Sequence, residues 1–336
     1  MTLLVLSHDD VVRALPPDAC ADAMAESLAA HAREESYMPL RSVIAPPRAA
    51  GLMGLMPAWR SGGGGGGGDG EGAVFALKSI CIIPSNPARG LDSHQGTVTL
   101  FDGETGVPWA ILDASAITTI RTAAVSRVAT RLLAREDARV LAILGAGVQA
   151  RSHLAALCAE RRFEAVRLYA PTEAHARALA EAAARDGLEV SIATSAQEAV
   201  AGADVVVTAT TAREPVLRRD WLSPGAHVNA VGASQPSARE LDGETVAASA
   251  LFCDSRESLR NEAGEFQEAV RSGLIAGEDH VRAELGEVLA GRREGRRNSR
   301  ELTVFRSLGL AVEDLAAALV AVANARRLGL GTEVEL

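Results

Sequence analysis

The chain is poor in the features that staple a protein, anchor it or draw it to a highly charged partner. Its four cysteines, Cys20, Cys81, Cys158 and Cys253, are scattered and show no metal-ligand spacing. Reduced thiols in a cytosolic protein are the simplest reading. The histidines His8, His31, His153, His175 and His280 form no pair at ligand spacing, so no metal site is expected. No apolar stretch reaches the length of a membrane span. Leu3 to Leu6 is apolar, but His8-Asp9-Asp10 follows too early for a signal peptide. A basic surplus is also missing: the formal net charge is −9 over 336 residues, which argues against nucleic acid or an anionic membrane as partner. Only Arg292 to Arg300 is locally basic, and because Glu294 and Glu301 interrupt it, it reads as a solvated loop. What is present is a globular composition, 48% hydrophobic and 23% charged, with length for two domains and a sizeable core. The expectation is a soluble cytoplasmic protein.

The most informative stretch runs from Val140 to Ala150. An apolar run of strand length, Val140 to Leu144, ends at Gly145-Ala146-Gly147-Val148-Gln149-Ala150, and a helix-forming sequence follows at once. A dinucleotide-binding βαβ unit needs that order. Gly145 permits the tight turn, Gly147 lets the backbone approach a pyrophosphate, and Ala150 lets the helix pack on the sheet. Further strands are expected near Val166–Ala170, Val190–Ala193, Val205–Ala209, His227–Val231 and Leu251–Cys253, with helices between. That is the alternation of a doubly wound parallel sheet. After the second strand, Ala170-Pro171-Thr172 supplies no acid to repel a 2′-phosphate. Thr172 and Arg177 could bind one, so NADP(H) is favoured and NAD(H) is possible.

The N-terminal part reads differently. A short strand and a helix over Ala19 to Arg33 precede strand-like pieces at Arg41–Ala45, Gly51–Met56, Ala73–Ile83, Gly96–Phe101 and Pro108–Asp113. This suggests an α+β domain with its own sheet. Asp102 to Gly106 reads as a hairpin turn, not a calcium loop. The seven glycines Gly62 to Gly68 read as a mobile surface loop, since no Lys-Ser, Lys-Thr or helix follows to make them a phosphate loop. A long helix is expected over Thr119 to Leu133. A last helix, Ala311 to Arg327, is so apolar that it must be buried, and a subunit interface is one place to bury it; a homodimer is expected. Three cations stand in apolar surroundings: Arg41, Lys78 and Arg121. Each alone could serve a structural salt bridge; together they suggest a clamp for a substrate carboxylate.

These segments carry a resemblance. Pro39-Leu40-Arg41, Leu55-Met56-Pro57-Ala58, Leu77-Lys78, Ile120 to Ser126, Gly145 to Ala150, Ala196 to Asp204, Pro224 to Ser234, Glu284 to Val288 and Thr303 to Asp314 resemble the ornithine cyclodeaminase/mu-crystallin family. The resemblance implies a Rossmann NAD(P)-binding domain over about residues 122–310. It also implies a substrate-binding and dimerisation domain over 1–121 with 311–336. It puts Arg41, Lys78 and Arg121 in the substrate pocket, with Glu262 as an acid facing it. It puts His94, Thr208, Ala209, Thr210, Val231, Gly232, Ser234 and Ser307 near the cofactor. Two departures count against ornithine cyclisation: Ser234 stands where cyclodeaminases carry a catalytic Asp, and Gly54 stands where they carry a Glu. The segment Ala233 to Asp242 is more similar to mu-crystallin and its bacterial relatives, which are NAD(P)H-dependent ketimine reductases. The expected activity is therefore reduction of an imino acid. Arg41 and Arg121 would hold the carboxylate, and Lys78 would serve either as proton donor or as a further electrostatic contact. An amino-acid dehydrogenase of the alanine type is the alternative. A non-catalytic binder of a carboxylate ligand is a weaker one.

Overall fold

The computed structural model describes residues 2–62, 72–232 and 234–335. The polyglycine run after Gly62 and the residue Ala233 lie outside the described residues. The chain divides into two compact units, Met1–Arg121 with Gly309–Leu336, and Thr122–Leu308. The helix Ala114–Leu133 carries the chain from one to the other.

The first unit holds strands β1 (Thr2–Leu6), β2 (Ser36–Tyr37), β3 (Ser42–Ile44), β4 (Leu52–Arg60), β5 (Val74–Ile82), β6 (His94–Asp102) and β7 (Pro108–Asp113), and the chain's last strand, β16 (Thr332–Glu335). Their order is β16-β1-β7-β6-β5-β4-β2, with β3 also on β4. Among the described residues of this unit only β1 and β7 pair parallel. Burial alternates along the long strands: Met56 and Ala58, then Val74, Ala76, Lys78 and Ile80, then Val98 and Leu100 point into the core. This is the period-2 pattern of a sheet covered on one face. The cover is the helix Ala311–Leu328, packed on the helix Pro17–Ala32 and on β4, β5 and β6. The apolar C-terminal helix is thus buried inside its own unit, so its composition does not require a subunit interface. A short helix that sequence patterning did not separate, His8–Ala14, is held by a reciprocal capping box between Ser7 and Asp10. The turn after β6 forms as expected: the Asp102 carboxylate accepts from the backbone and hydroxyl of Thr105 at 2.8 and 2.7 Å.

The second unit is an all-parallel sheet of eight strands: β8 (Val140–Leu144), β9 (Ala165–Tyr169), β10 (Ser191–Ile192), β11 (Val205–Thr208), β12 (His227–Ala230), β13 (Ala250–Cys253), β14 (Val281–Glu284) and β15 (Thr303–Arg306). They run in the order β10-β9-β8-β11-β12-β15-β13-β14. The doubly wound fold class expected from the sequence is present, with two more strands, β14 and β15, than patterning found. Both faces are buried: Leu141, Ile143, Val205 and Val207 feed one core, and Ala142, Leu144, Val206, Val228 and Ala230 the other. The basic stretch after Arg292 is largely exposed loop, as expected, except Arg296. Its guanidinium donates to the Leu133 carbonyl at 2.6 Å and to the Thr303 hydroxyl at 2.8 Å, so it is a strut and not a solvated charge. Among the described residues no helix is long and apolar enough to cross a membrane.

Candidate active site

In the first unit, sheet alternation forces Lys78 into the core. It lies opposite Met56 on β4 and Val98 on β6, so neither cross-strand neighbour can pair its charge. The partners come from elsewhere in the chain. Lys78 Nζ lies 2.7 Å from Asp314 Oδ2, with both side chains 2% exposed. Arg121 Nε meets the other Asp314 oxygen at 3.0 Å, and its Nη1 meets Glu313 Oε2 at 2.9 Å. Glu313 and Asp314 stand in the first turn of the C-terminal helix, where free N–H groups favour carboxylates. Arg41 donates to the Gly309 carbonyl at 2.7 Å. Gly309 has φ +81, and a Cβ there would sit 2.7 Å from the Arg121 guanidinium, so only glycine lets this loop cross the arginine. Arg41, Lys78 and Arg121 are thus brought together, each also held structurally. With Glu313 and Asp314 the five groups carry one net positive charge.

Electrostatics tune this cluster. Burial pulls Lys78 down to about 8, Asp314 opposes the shift, and Arg121 and Arg41 add to it. Burial is the main cause, ahead of the neighbouring arginines. Asp314 is held below the usual carboxylate range by Lys78 and Arg121, against the opposing effect of its burial. His94, the first residue of β6, is lowered by burial and then by the Lys78 charge. Cys20 is pushed up to about 12 by burial, so it is an inert thiol. Sequence reasoning gave Glu313 and Asp314 no role. The signal was available: they are the only charges between Ala311 and Val322, and such an acid in an apolar helix needs a cation.

In the second unit the predicted residues line the C-terminal edge of the parallel sheet. From β8 the chain runs outward through β9 and β10. From β11 it runs the other way through β12, so the switch point lies between β8 and β11. There Gly145, at φ +120, abuts the next strand: a Cβ would lie 2.3 Å from the Ala209 carbonyl. Gly147 caps the helix Val148–Glu160 with no side-chain hydrogen bond, and a Cβ there would meet nothing within 4 Å. Ala150 is fully buried, Val148 is exposed, and the side-chain oxygen of Gln149 is buried without a hydrogen-bond partner among the described residues. An uncapped helix N-terminus, open space before Gly147 and an orphaned buried amide fit a pyrophosphate-bearing ligand.

At the end of β9, Ala170, Pro171 and Arg177 line a cavity of about 700 Å³ with Tyr169, Glu173 and Thr194. Thr172 begins the following helix without capping it through its side chain. Glu173 lines the same cavity and holds Arg177 at 2.6 Å in an exposed ion pair, so an acid stands beside the cation expected to meet a 2′-phosphate. At the ends of β11 and β12, the Thr208 and Thr210 hydroxyls both donate to the buried Glu240 carboxylate at 2.8 Å. Glu240 was not singled out from sequence. Val231 donates to the Thr208 carbonyl, and Gly232 donates to Glu240. Ser234 is half-buried in the loop beyond. Ser307, after β15, is 2% exposed, and its hydroxyl has no hydrogen-bond partner among the described residues. Glu262 ends the helix Arg256–Glu262 and is buried. Nearby in sequence, Glu265 pairs with Arg306 at 2.5 Å and is raised above the usual carboxyl range by burial.

An all-parallel sheet flanked by helices, with a glycine turn at its switch point, defines an α/β protein of the doubly wound, dinucleotide-binding kind. The chain belongs to the ornithine cyclodeaminase/mu-crystallin family, whose model matches residues 1–327. It is 41% identical over 280 residues to the ketimine reductase mu-crystallin of Mus musculus, covering 83% of this chain and 82% of that protein. Among solved structures it is similar to the Δ1-pyrroline-2-carboxylate reductase of Thermococcus litoralis in complex with NADH and L-proline. The TM-score is 0.92 and the identity 37%, over 99% of this chain and 100% of that one. An archaeal alanine dehydrogenase dimer with bound NAD matches with a TM-score of 0.91 at 32% identity, over 100% of both chains.

Proposed function

We propose that the chain is a nicotinamide-dependent reductase of imino acids, delivering hydride to the imine carbon of cyclic ketimine carboxylates such as pyrroline-2-carboxylate or piperideine-2-carboxylate. The observation that carries the reading is the buried cluster around Lys78, whose single net positive charge suits one substrate carboxylate. Arg41 and Arg121 hold that carboxylate through charge-assisted hydrogen bonds and fix the imine. Lys78, held near 8, keeps the imine nitrogen protonated, and an iminium accepts hydride far better than a neutral imine. Asp314 and Glu313 orient the two basic side chains. Glu262 and His94 are further candidates for the substrate and cofactor contacts. When bound, the nicotinamide cofactor supplies the hydride. In the second unit, Gly145 to Gln149 would receive its pyrophosphate, Ala170 to Thr172 would hold its adenosine half, and Thr208 to Thr210, Val231, Gly232, Ser234 and Ser307 would hold its nicotinamide half. Both NAD(H) and NADP(H) are proposed as cofactors: Arg177 would attract a 2′-phosphate and Glu173 would repel it.

Residues 1–121 with 311–336 are proposed to bind substrate and to dimerise, and residues 122–310 to bind the cofactor. The partner is a second copy of the chain. On the sheet face opposite Lys78, Trp59, Phe75 and Phe101 lie side by side in register, and Phe75 is 47% exposed. An aromatic face of this kind suits burial in a dimer. Free cysteines suit a cytoplasmic setting.

The test is oxidation of NADH and NADPH with five- and six-membered cyclic 2-carboxy imines. Saturable turnover supports the reading, and binding of cofactor without turnover of any imine contradicts it. The likeness to the alanine dehydrogenase favours a second reading, oxidation of a free amino acid by NAD(P)+, which shares the clamp and the hydride step. Ornithine cyclisation lacks support. Gly54 has room for a side chain on the Lys78 face, its nearest contact being Ile80 at 3.6 Å, yet it offers no carboxylate there, and neither does Ser234.

A further inference from the structure

We propose that Glu240 is a positioning residue for the nicotinamide half of the cofactor, a buried carboxylate that locks together the two strand-end loops over which that ring lies. The proposal rests on the nicotinamide reading above. In a doubly wound sheet a dinucleotide lies across the carboxyl ends of the strands, with one half on each side of the switch point. The glycine turn after β8 and the cavity after β9 occupy one side. The loops after β11 and β12, at Thr210 and Gly232, therefore lie on the side of the reacting ring.

Glu240 joins those two loops. It is fully buried, and its two oxygens take four donors. One accepts from the Thr210 backbone and hydroxyl at 2.7 and 2.8 Å. The other accepts from the Thr208 hydroxyl at 2.8 Å and the Gly232 backbone at 2.7 Å. That fills the acceptor sites of a carboxylate, about four in all. The loops also touch directly, since a Cβ on Gly232 would lie 2.1 Å from the Thr210 carbonyl. Glu240 is itself fixed, because its carbonyl accepts from Val216 and Leu217 at 2.8 and 3.0 Å. A neutral amide in its place would keep one oxygen and turn an NH2 toward a backbone N–H that it cannot satisfy, loosening one loop.

The same sheet supplies a control. At its opposite, amino-terminal edge the Asp204 carboxylate accepts from the backbones of Arg139 and Val140 at 2.8 and 3.0 Å. It staples strand ends in the same manner, but away from the ligand edge. The experiment measures dissociation constants for NADH and for ADP-ribose, which lacks the nicotinamide ring, on the intact protein and on Glu240→Gln, Thr210→Val and Asp204→Asn, with the melting temperature of each. Glu240→Gln is expected to weaken NADH by about tenfold or more, the scale of one lost charge-assisted hydrogen bond, and to leave ADP-ribose unchanged. Thr210→Val should act in the same direction to a smaller extent. Asp204→Asn should lower the melting temperature without moving the NADH constant. An unchanged ratio of the two constants in Glu240→Gln overturns the proposal, whether both ligands still bind or both weaken. If that variant does not fold, an unchanged ratio in Thr210→Val overturns it. Failure of the unaltered protein to bind NADH or NADPH at all removes the cofactor reading itself, and this proposal with it.

Discussion

Replacing Asp314 by Asn loads the most highly charged contact of the cluster. Asp314 Oδ2 lies 2.7 Å from Lys78 Nζ. Burial and the two arginines lower Lys78 to about 8, and Asp314 opposes them. Removing that negative charge therefore lowers Lys78 further. Coulomb's law at this separation, with an effective dielectric near 20, gives about 6 kcal/mol as an upper bound. Asn keeps an acceptor for the ammonium, and relaxation around a neutral side chain recovers part of the rest, so the expected shift is roughly one to two pH units. Protonated Lys78 is the form that keeps the imine charged, so the reductive rate falls as pH rises through the lysine's value. The assay is kcat/KM for a cyclic imine carboxylate against pH. The unaltered enzyme should show a basic limb near 8, and Asp314→Asn should show that limb displaced toward acid. The imine's own protonation is common to both profiles and cancels in the comparison. Superimposable profiles would refute the role given to Lys78.

Other expectations are simpler. Arg121→Ala removes a guanidinium from two buried carboxylates, and breaking a buried pair costs about 3–5 kcal/mol. A lower melting temperature should therefore accompany the loss of kcat/KM, and a normal kcat/KM would dismiss the clamp. Gly145→Ala and Gly147→Ala should separate stability from binding. The first meets the Ala209 carbonyl at 2.3 Å with φ +120 and should lower the melting temperature, while the second meets nothing within 4 Å and should weaken NADH with stability intact. Equal melting losses in both would contradict the assignment of open space before Gly147. Glu173→Gln frees Arg177 from its 2.6 Å partner and should raise the preference for NADPH over NADH, measured as a ratio of dissociation constants.

Local patterns in the chain were enough to reveal the nucleotide unit. Val140 to Ala150 encodes strand, turn and helix within eleven consecutive residues, and the structure follows it residue by residue. The cations Arg41, Lys78 and Arg121 stood out because each interrupts apolar sequence. What local pattern could not reveal is who neutralises whom. Asp314 lies 193 residues from Arg121, and the pairing exists only once the C-terminal helix has returned to the first unit. Strand β15 was missed for a related reason: Thr303–Arg306 ends in an arginine that reads as surface, yet Arg306 is 1% exposed because Glu265 meets it. Glu240 sits in Arg239-Glu240-Leu241-Asp242, where charge density suggests solvent. Its burial follows from four donors supplied by distant loops.

The measurement that goes most directly to the central claim uses NADH carrying two deuterium atoms at the nicotinamide C4, so that either face delivers the label, with a cyclic 2-carboxy imine as substrate. The product's isotope content is read by mass spectrometry. The expected result is a cyclic amino acid one mass unit heavier, with the deuterium on the carbon that bears the carboxylate. Product without deuterium at that carbon, or cofactor bound and no product formed, would contradict hydride transfer to the imine.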